Sequence, residues 1–246
     1  MEEFFKDLKS CCQEIYHTIH YEMKESFYGY EGHGAGGDLS SKIDLFAEKI
    51  FIERLCKYGR IHSEESGVVG AGERTIILDP IDGSDNLLSS FPYYGASIAL
   101  KDSQTLFSCI VNFANGDFFV KWDTLYKKGS LLHDRLEDVK LNPYSKIGIF
   151  EKAYANPIIV KKLQEHRLKF RSPGAVALSL AYARYVRYVL FIGKLRPYDI
   201  EAGLHQCKGL YLYLDESTIL VSKERQIFDM IRDILTKEKD GSKRSI

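Results

Sequence analysis

No two of the five cysteines form a C-x-x-C pair; Cys11, Cys12, Cys56, Cys109 and Cys207 are scattered through apolar segments. No Cys/His spacing suits a zinc site. An odd, dispersed set of this kind reads as buried thiols in a reducing compartment. Net charge is missing as well, because 34 basic and 34 acidic residues cancel. That balance gives no support to nucleic acid or an anionic membrane as the main partner. No uncharged apolar run approaches the length of a membrane span, and the acidic, amphipathic start Met1-Glu2-Glu3-Phe4 is unlike a signal peptide. A cytoplasmic location is expected. There is no internal repeat and no low-complexity tract.

Of the 246 residues, 45% are hydrophobic, enough for a substantial core in one domain or in two closely packed halves. A soft boundary near Asn142-Pro143 divides residues 1–142 from residues 143–246. Helical periodicity of Phe4, Phe5, Leu8, Cys11, Cys12, Ile15 and Ile19 predicts an amphipathic helix over residues 2–27. Four glycines in the six residues 32–37 predict a mobile loop, either a connector or a flap over a site. That loop does not follow the P-loop pattern. A second helix is expected over 42–57, with Asp44 in its first turn, where an acid serves the helix dipole or faces a reaction centre. Residues 94–101, 106–113 and 117–122 read as an antiparallel meander, with Asn115-Gly116 as a hairpin turn. Residues 129–145 are polar and turn-rich. The second half alternates strands and helices, including helices over 173–185, 199–208 and 224–236. The charged tail, residues 237–246, is expected to fray.

The densest chemistry lies in Thr75-Ile76-Ile77-Leu78-Asp79-Pro80-Ile81-Asp82-Gly83-Ser84-Asp85-Asn86. An apolar run reads as a buried strand. It ends in two carboxylates, a glycine suited to a turn and a hydroxyl able to cap a short helix. Carboxylates bind hard cations and helix N-termini bind phosphate. Asp-Pro and Asp-Gly are also ordinary turn formers, so this stretch alone admits both readings. Ser63-Glu64-Glu65-Ser66 follows another short strand, and acids at neighbouring strand ends can converge on one cation.

With Pro197-Tyr198-Asp199-Ile200-Glu201-Ala202-Gly203, these two segments resemble the three motifs of the inositol monophosphatase-like superfamily of magnesium-dependent sugar phosphatases: an acid-pair loop, D-P-I-D-G-[TS]-x-N and W-D-x-A-A-G, in that order. The likeness spans about residues 30–230. It implies an α/β (α+β) fold, a layered αβαβα sandwich with a mainly antiparallel first sheet and a smaller second one. By position it implies two to three Mg²⁺ per site. Glu64, Asp79 and the carbonyl of Ile81 would bind one ion, and Asp79, Asp82 and Asp199 a second. A looser third ion would sit near Glu64. Asp44 and Ser84 resemble the pair that holds and activates the attacking water, with Gly83 and Ser84 presenting N–H groups to the phosphate. Two such ions can stabilise attacking and leaving oxygens in an in-line displacement. Relatives of this kind are commonly homodimers or homotetramers.

The sequence departs from the family pattern in several places. Tyr198 replaces a tryptophan and Glu201 an alanine. Arg184, Tyr185, Val186 and Arg187 occupy a stretch that usually carries Gly and Asp. Phe191-Ile192 stands near the position of a glutamate that contacts inositol hydroxyls, and His33 replaces a flap lysine. These departures disfavour inositol and leave the metal acids whole. Gly36-Gly37-Asp38-Leu39-Ser40-Ser41-Lys42-Ile43-Asp44 and Leu195-Arg196-Pro197-Tyr198-Asp199 look like the branch of archaeal enzymes that hydrolyse both fructose 1,6-bisphosphate and inositol phosphate. The resemblance therefore favours a small phosphorylated sugar or polyol, fructose 1,6-bisphosphate first. Inositol monophosphate is the alternative. A 3′-phosphoadenosine 5′-phosphate phosphatase and a catalytically silent homologue stand further back. Arg171, Lys194 and Arg196 are candidate cations for a second phosphate, or ordinary surface charges. Gly174, Ala175 and Val176 are candidates for backbone contacts to the sugar.

Overall fold

The computed structural model describes residues 1–37 and 39–243. Asp38 of the expected flap and residues 244–246 of the expected fraying tail lie outside the described residues. Helix α1 (Glu2–Tyr21) buries Phe4, Leu8, Cys11, Cys12, Ile15 and Ile19 along one face. It ends earlier than the periodicity predicts, and a 3₁₀ turn (Glu25–Tyr28) follows. The glycine-rich stretch forms the turn of a small antiparallel hairpin, with Gly34, Gly36 and Gly37 between β1 (Tyr30–His33) and β2 (Leu39–Ser41). Helix α2 (Lys42–Leu55) opens with a capping box. The Ser41 hydroxyl accepts the Asp44 N–H, and the Asp44 carboxylate accepts the Ser41 N–H in return.

The first sheet contains β3 (Arg60–Ser63), β4 (Gly67–Val69), β5 (Thr75–Asp82), β6 (Gly95–Lys101), β7 (Thr105–Asn112), β8 (Asp117–Trp122), β9 (Leu125–Ser130) and β10 (His133–Asp138), with the short helix α3 (Ser84–Leu88) after β5. Its order is β10-β9-β8-β7-β6-β5-β3-β4. Neighbours are antiparallel except β3 and β5, which run parallel. The predicted meander corresponds to β6 to β8, paired through the turn at Gly116, whose φ is +77°. Strand β10 falls in the stretch read as turns. All six of its residues are exposed, so no apolar alternation betrays it.

The second sheet contains β11 (Gly148–Glu151), β12 (Phe170–Arg171), β13 (Tyr188–Ile192), β14 (Tyr211–Leu214) and β15 (Thr218–Ser222), in the order β12-β11-β13-β15-β14. Helices α4 (Pro157–Glu165), α5 (Val176–Ala181), α6 (Pro197–Gln206) and α7 (Arg225–Lys243) complete the chain. The helix predicted over 173–185 shrinks to α5 and a 3₁₀ turn, while the last helix continues past residue 236 to Lys243.

Strand alternation divides the core into layers. Ile76 and Leu78 of β5, with Ile98 and Leu100 of β6, pack against α1 and α2. Ile77 and Ala99, on the opposite face, pack against Ala177 and Leu178 of α5 and Ala202 of α6. Those two helices also meet Ile149, Val189, Phe191, Ile219 and Val221 of the second sheet. The far face of that sheet, with Phe150, Tyr188, Leu190 and Leu220, is covered by α4 and α7. The sequence of layers is helix, sheet, helix, sheet, helix, as the resemblance implies. No helix among the described residues is long and apolar enough to cross a membrane.

Candidate metal centre

Parallel pairing of β3 with β5 sets Ser63 beside Leu78. The Glu64 N–H then donates to the Leu78 carbonyl at 3.0 Å, which brings Glu64 alongside Asp79. Asp199 arrives from the other half, in the first turn of α6, entered through Pro197. That turn is tied to the first sheet by the Ser97 hydroxyl, which donates to the Tyr198 carbonyl at 3.0 Å. As a result, buried Glu64, Asp79 and Asp199 each present a carboxylate oxygen within 4.8 Å of the others. Burial pushes the Asp79 carboxyl well above the usual range, and the negative charges of Glu64, Asp82 and Asp199 push it further. Asp79 Oδ1 is buried without a hydrogen-bond partner. Asp82 is raised likewise, by burial and then by Asp199, although the Leu178 N–H of α5 donates to its Oδ2 at 2.9 Å and opposes the shift. Clustered hard oxygen donors with an orphaned lone pair fit a divalent oxygen-seeking cation.

Gly83 joins β5 to α3 with φ +84°. A Cβ there would stand 3.0 Å from the Cβ of Ala175 and 3.0 Å from the Tyr93 carbonyl. Both the left-handed backbone and the space therefore require glycine. Asp44 lines the same cavity. Its Oδ2 accepts from the Ser41 N–H at 3.1 Å and the Ser41 hydroxyl at 2.7 Å, while its Oδ1 is buried and unpartnered. Burial raises its pKa from 3.8 to about 7, with smaller contributions from Glu65 and Asp85.

The flap hairpin docks on the acid-pair loop. Ala35 and Gly36 donate their N–H groups to the carbonyls of Glu65 and Glu64 at 2.8 and 2.7 Å, and the Ser40 hydroxyl donates to the Glu65 carboxylate. Buried Glu48 secures the far side of the loop, accepting from the Ser66 N–H at 2.9 Å and its hydroxyl at 2.6 Å. The cavity enclosed by these pieces measures about 690 Å³. Ile81, Gly83, Ser84, Gly174, Val176 and His33 also line it.

The expected substrate cations separate in the structure. Arg196 reaches the cavity, but its guanidinium engages the metal acids, with Nε and Nη2 on Asp199 at 2.9 and 3.0 Å and Nη1 on Glu64 at 2.6 Å. Clustered carboxylates need a counter-charge, and the arginine fork supplies it. Arg171 instead lines a separate apolar hollow with Phe91, Tyr93 and Tyr182, and donates to the Phe170 carbonyl at 2.9 Å. Lys194 is exposed and is not part of the cavity wall. The sugar-contact expectation for Gly174 and Ala175 meets a similar obstacle. Their N–H groups donate to Glu151 at 2.8 and 3.4 Å, and buried Ala175 is not part of the wall.

Glu151 itself escaped the sequence reading. It ends β11, lines the cavity and also accepts the Ser179 hydroxyl at 2.5 Å. Burial raises its pKa against the lowering effect of these donors. No local motif marks it, because its partners lie 23 to 28 residues away.

The departures from the family pattern find partners. Glu201 pairs with Lys101 at 2.9 Å and accepts the Thr105 hydroxyl, and it is not part of the cavity wall. Arg187 pairs with Glu224 at 3.1 Å. Tyr198 is buried, and its hydroxyl is 3.0 Å from His62 Nε2.

A profile of the inositol monophosphatase family matches residues 2–209. The chain belongs to this family. Fructose-1,6-bisphosphatase of Pyrococcus furiosus is 30% identical over 175 residues, 68% of this chain and 66% of that protein. The fructose-1,6-bisphosphatase/inositol-1-monophosphatase of Methanocaldococcus jannaschii is 26% identical over 252 residues, 92% of this chain and 97% of that protein. Among solved structures, the extragenic suppressor protein SuhB of Bartonella henselae superposes with a TM-score of 0.76 at 19% identity, covering 94% of this chain and 97% of that one. The fold is that of the inositol monophosphatases, and membership of the family supports a phosphatase of that kind.

Proposed function

We propose that this protein hydrolyses the phosphomonoester of a small sugar or polyol, fructose 1,6-bisphosphate foremost, with two to three Mg²⁺ per site. The observation that carries this reading is the convergence of Glu64, Asp79 and Asp199 within 4.8 Å, from elements of both halves, in one cavity with Gly83 and Ser84. Asp82 and the Ile81 carbonyl complete the proposed ligand set. Magnesium at these acids would supply positive charge to the phosphoryl oxygens and acidify the attacking water. Asp44 would hold that water through its unpartnered Oδ1, and Ser84 would orient it. Backbone N–H groups at Gly83 and Ser84 would receive the phosphate. The docked flap would help to exclude bulk water from the reacting groups.

Fructose bisphosphate comes first because the Pyrococcus relative carries that activity in its name. Inositol 1-phosphate stands second, on the dual name of the Methanocaldococcus relative. The test is phosphate release with Mg²⁺ from both esters in parallel, with Asp82→Asn as the control. Magnesium-dependent release from fructose 1,6-bisphosphate, lost in the control, is expected. Release from inositol 1-phosphate alone would reverse the ranking, and release from neither would point to another ester or to a silent homologue.

A further inference from the structure

The cavity wall is dominated by carboxylates. Among its described residues the lysines and arginines are Arg196, already engaged by Glu64 and Asp199, and Lys152. Lys152 follows β11 in the second sheet, whereas Asp79 belongs to the first and Glu64 to the turn after its strand β3. Its backbone is left-handed, with φ +56° and ψ +33°. A lysine rarely adopts this conformation, and an outlier of this kind persists only where its surroundings enforce it.

Here the enforcement is visible. On one side, buried Glu151 is clamped by the Gly174 N–H and the Ser179 hydroxyl. On the other, the buried Ala153 N–H donates to the Ser172 hydroxyl at 3.4 Å. The Lys152 carbonyl accepts from the Ala155 N–H and the Asn156 side chain, both at 3.0 Å. The side chain then lies with Nζ 5.6 Å from the centroid of Phe191, which also lines the cavity. An ammonium against an aromatic face keeps its charge available for an anion on its free side.

Resting on the phosphomonoesterase reading above, we propose that Lys152 is the specificity-determining cation for a second, distal anionic group, so that the favoured substrates are sugar bisphosphates held between the metal acids and the Lys152–Phe191 corner. A cavity of about 690 Å³ accommodates a ligand of that size. The role expected for Arg171 and Lys194 passes to a residue with no motif, placed by the turn after β11.

The test compares fructose 1,6-bisphosphate with fructose 1-phosphate, the same sugar without the distal phosphate, in the wild type, Lys152→Met and Lys152→Arg. In Lys152→Met, KM for the bisphosphate is expected to rise about 10–100-fold, the equivalent of one charge-assisted contact. Its kcat, and both constants for the monophosphate, should stay within about twofold, and Lys152→Arg should restore most of the loss. Equal effects on the two esters, or no effect, overturn the proposal. Should neither ester be hydrolysed, the fructose-phosphate reading of the site fails on its own. Calorimetric binding of fructose 1,6-bisphosphate with Mg²⁺ then decides: weaker binding to Lys152→Met supports the assignment, and equal or absent binding overturns it.

Discussion

Arg196 forks onto Asp199, its neighbour one helical turn away, through Nε–Oδ2 at 2.9 Å and Nη2–Oδ1 at 3.0 Å. With its third nitrogen on Glu64, it neutralises two of the three clustered acids. Arg196→Gln is therefore expected to destabilise the cation-free protein by roughly 2–4 kcal/mol, because it leaves buried charge uncompensated. The same change removes a competitor for the acids, so half-saturation by Mg²⁺ should occur at a several-fold lower concentration. Thermal melts across a magnesium titration give both numbers. A half-saturation that rises instead would mean that the guanidinium assists cation binding.

The Asp44 carboxyl titrates at about 7 in the folded chain against 3.8 ordinarily, because burial disfavours its charge. Between those values the folded chain holds a proton that the unfolded chain has released. Its contribution to stability is thus complete below about pH 4 and declines as pH rises towards 7, by on the order of a few kcal/mol. Asp44→Asn should flatten this part of the stability curve of chelated protein while abolishing most turnover. Urea midpoints at pH 5 and pH 8 measure the difference between variant and wild type. An unchanged difference would place the titration elsewhere.

Gly83→Ala introduces a Cβ at a left-handed position, 3.0 Å from both Ala175 Cβ and the Tyr93 carbonyl. The backbone alone costs about 1–2 kcal/mol, and the contacts add to it. A lowered melting temperature together with at least a tenfold loss of kcat/KM, roughly one lost hydrogen bond to the reacting group, is expected. Loss of stability without loss of rate would remove this turn from phosphate binding.

Glu201→Ala restores the residue common in the family. Burial works to raise the Glu201 pKa, but bonds from Thr105 and Lys101 outweigh it and hold it below its usual value. Losing them should cost about 1 kcal/mol or less for a partly buried pair near the surface, with kcat and KM unchanged. Altered substrate preference in this variant would bring Glu201 into the site after all.

The strand, turn and acids from Thr75 to Asn86 were legible because they form one contiguous pattern whose apolar run and breakers are local. The three acids of the cluster were legible only through family likeness, since nothing local places Asp199 beside Glu64. Three features were hidden for distinct physical reasons. The flap glycines predict a loop, yet two short strands flank it and the Ala35 and Gly36 N–H groups donate to carbonyls of the sequence-distant acid-pair loop. Strand β10 is exposed at every position and shows no alternation. Glu151 depends on bonds from residues 174–179, and Lys152 is held between Glu151 and Ala153, each bonded to the 172–179 segment, which no spacing rule reaches.

Asp79 is contributed by the first sheet, Glu64 by the turn that follows its strand β3, and Asp199 by a helix wedged between the two sheets. A cation held by all three is therefore also a rivet across the fold. Anything bound only by the folded chain shifts its unfolding equilibrium, and in a cell the unfolded fraction is what proteases remove. Magnesium supply would then govern how long each copy of this protein lasts, in addition to how fast it works.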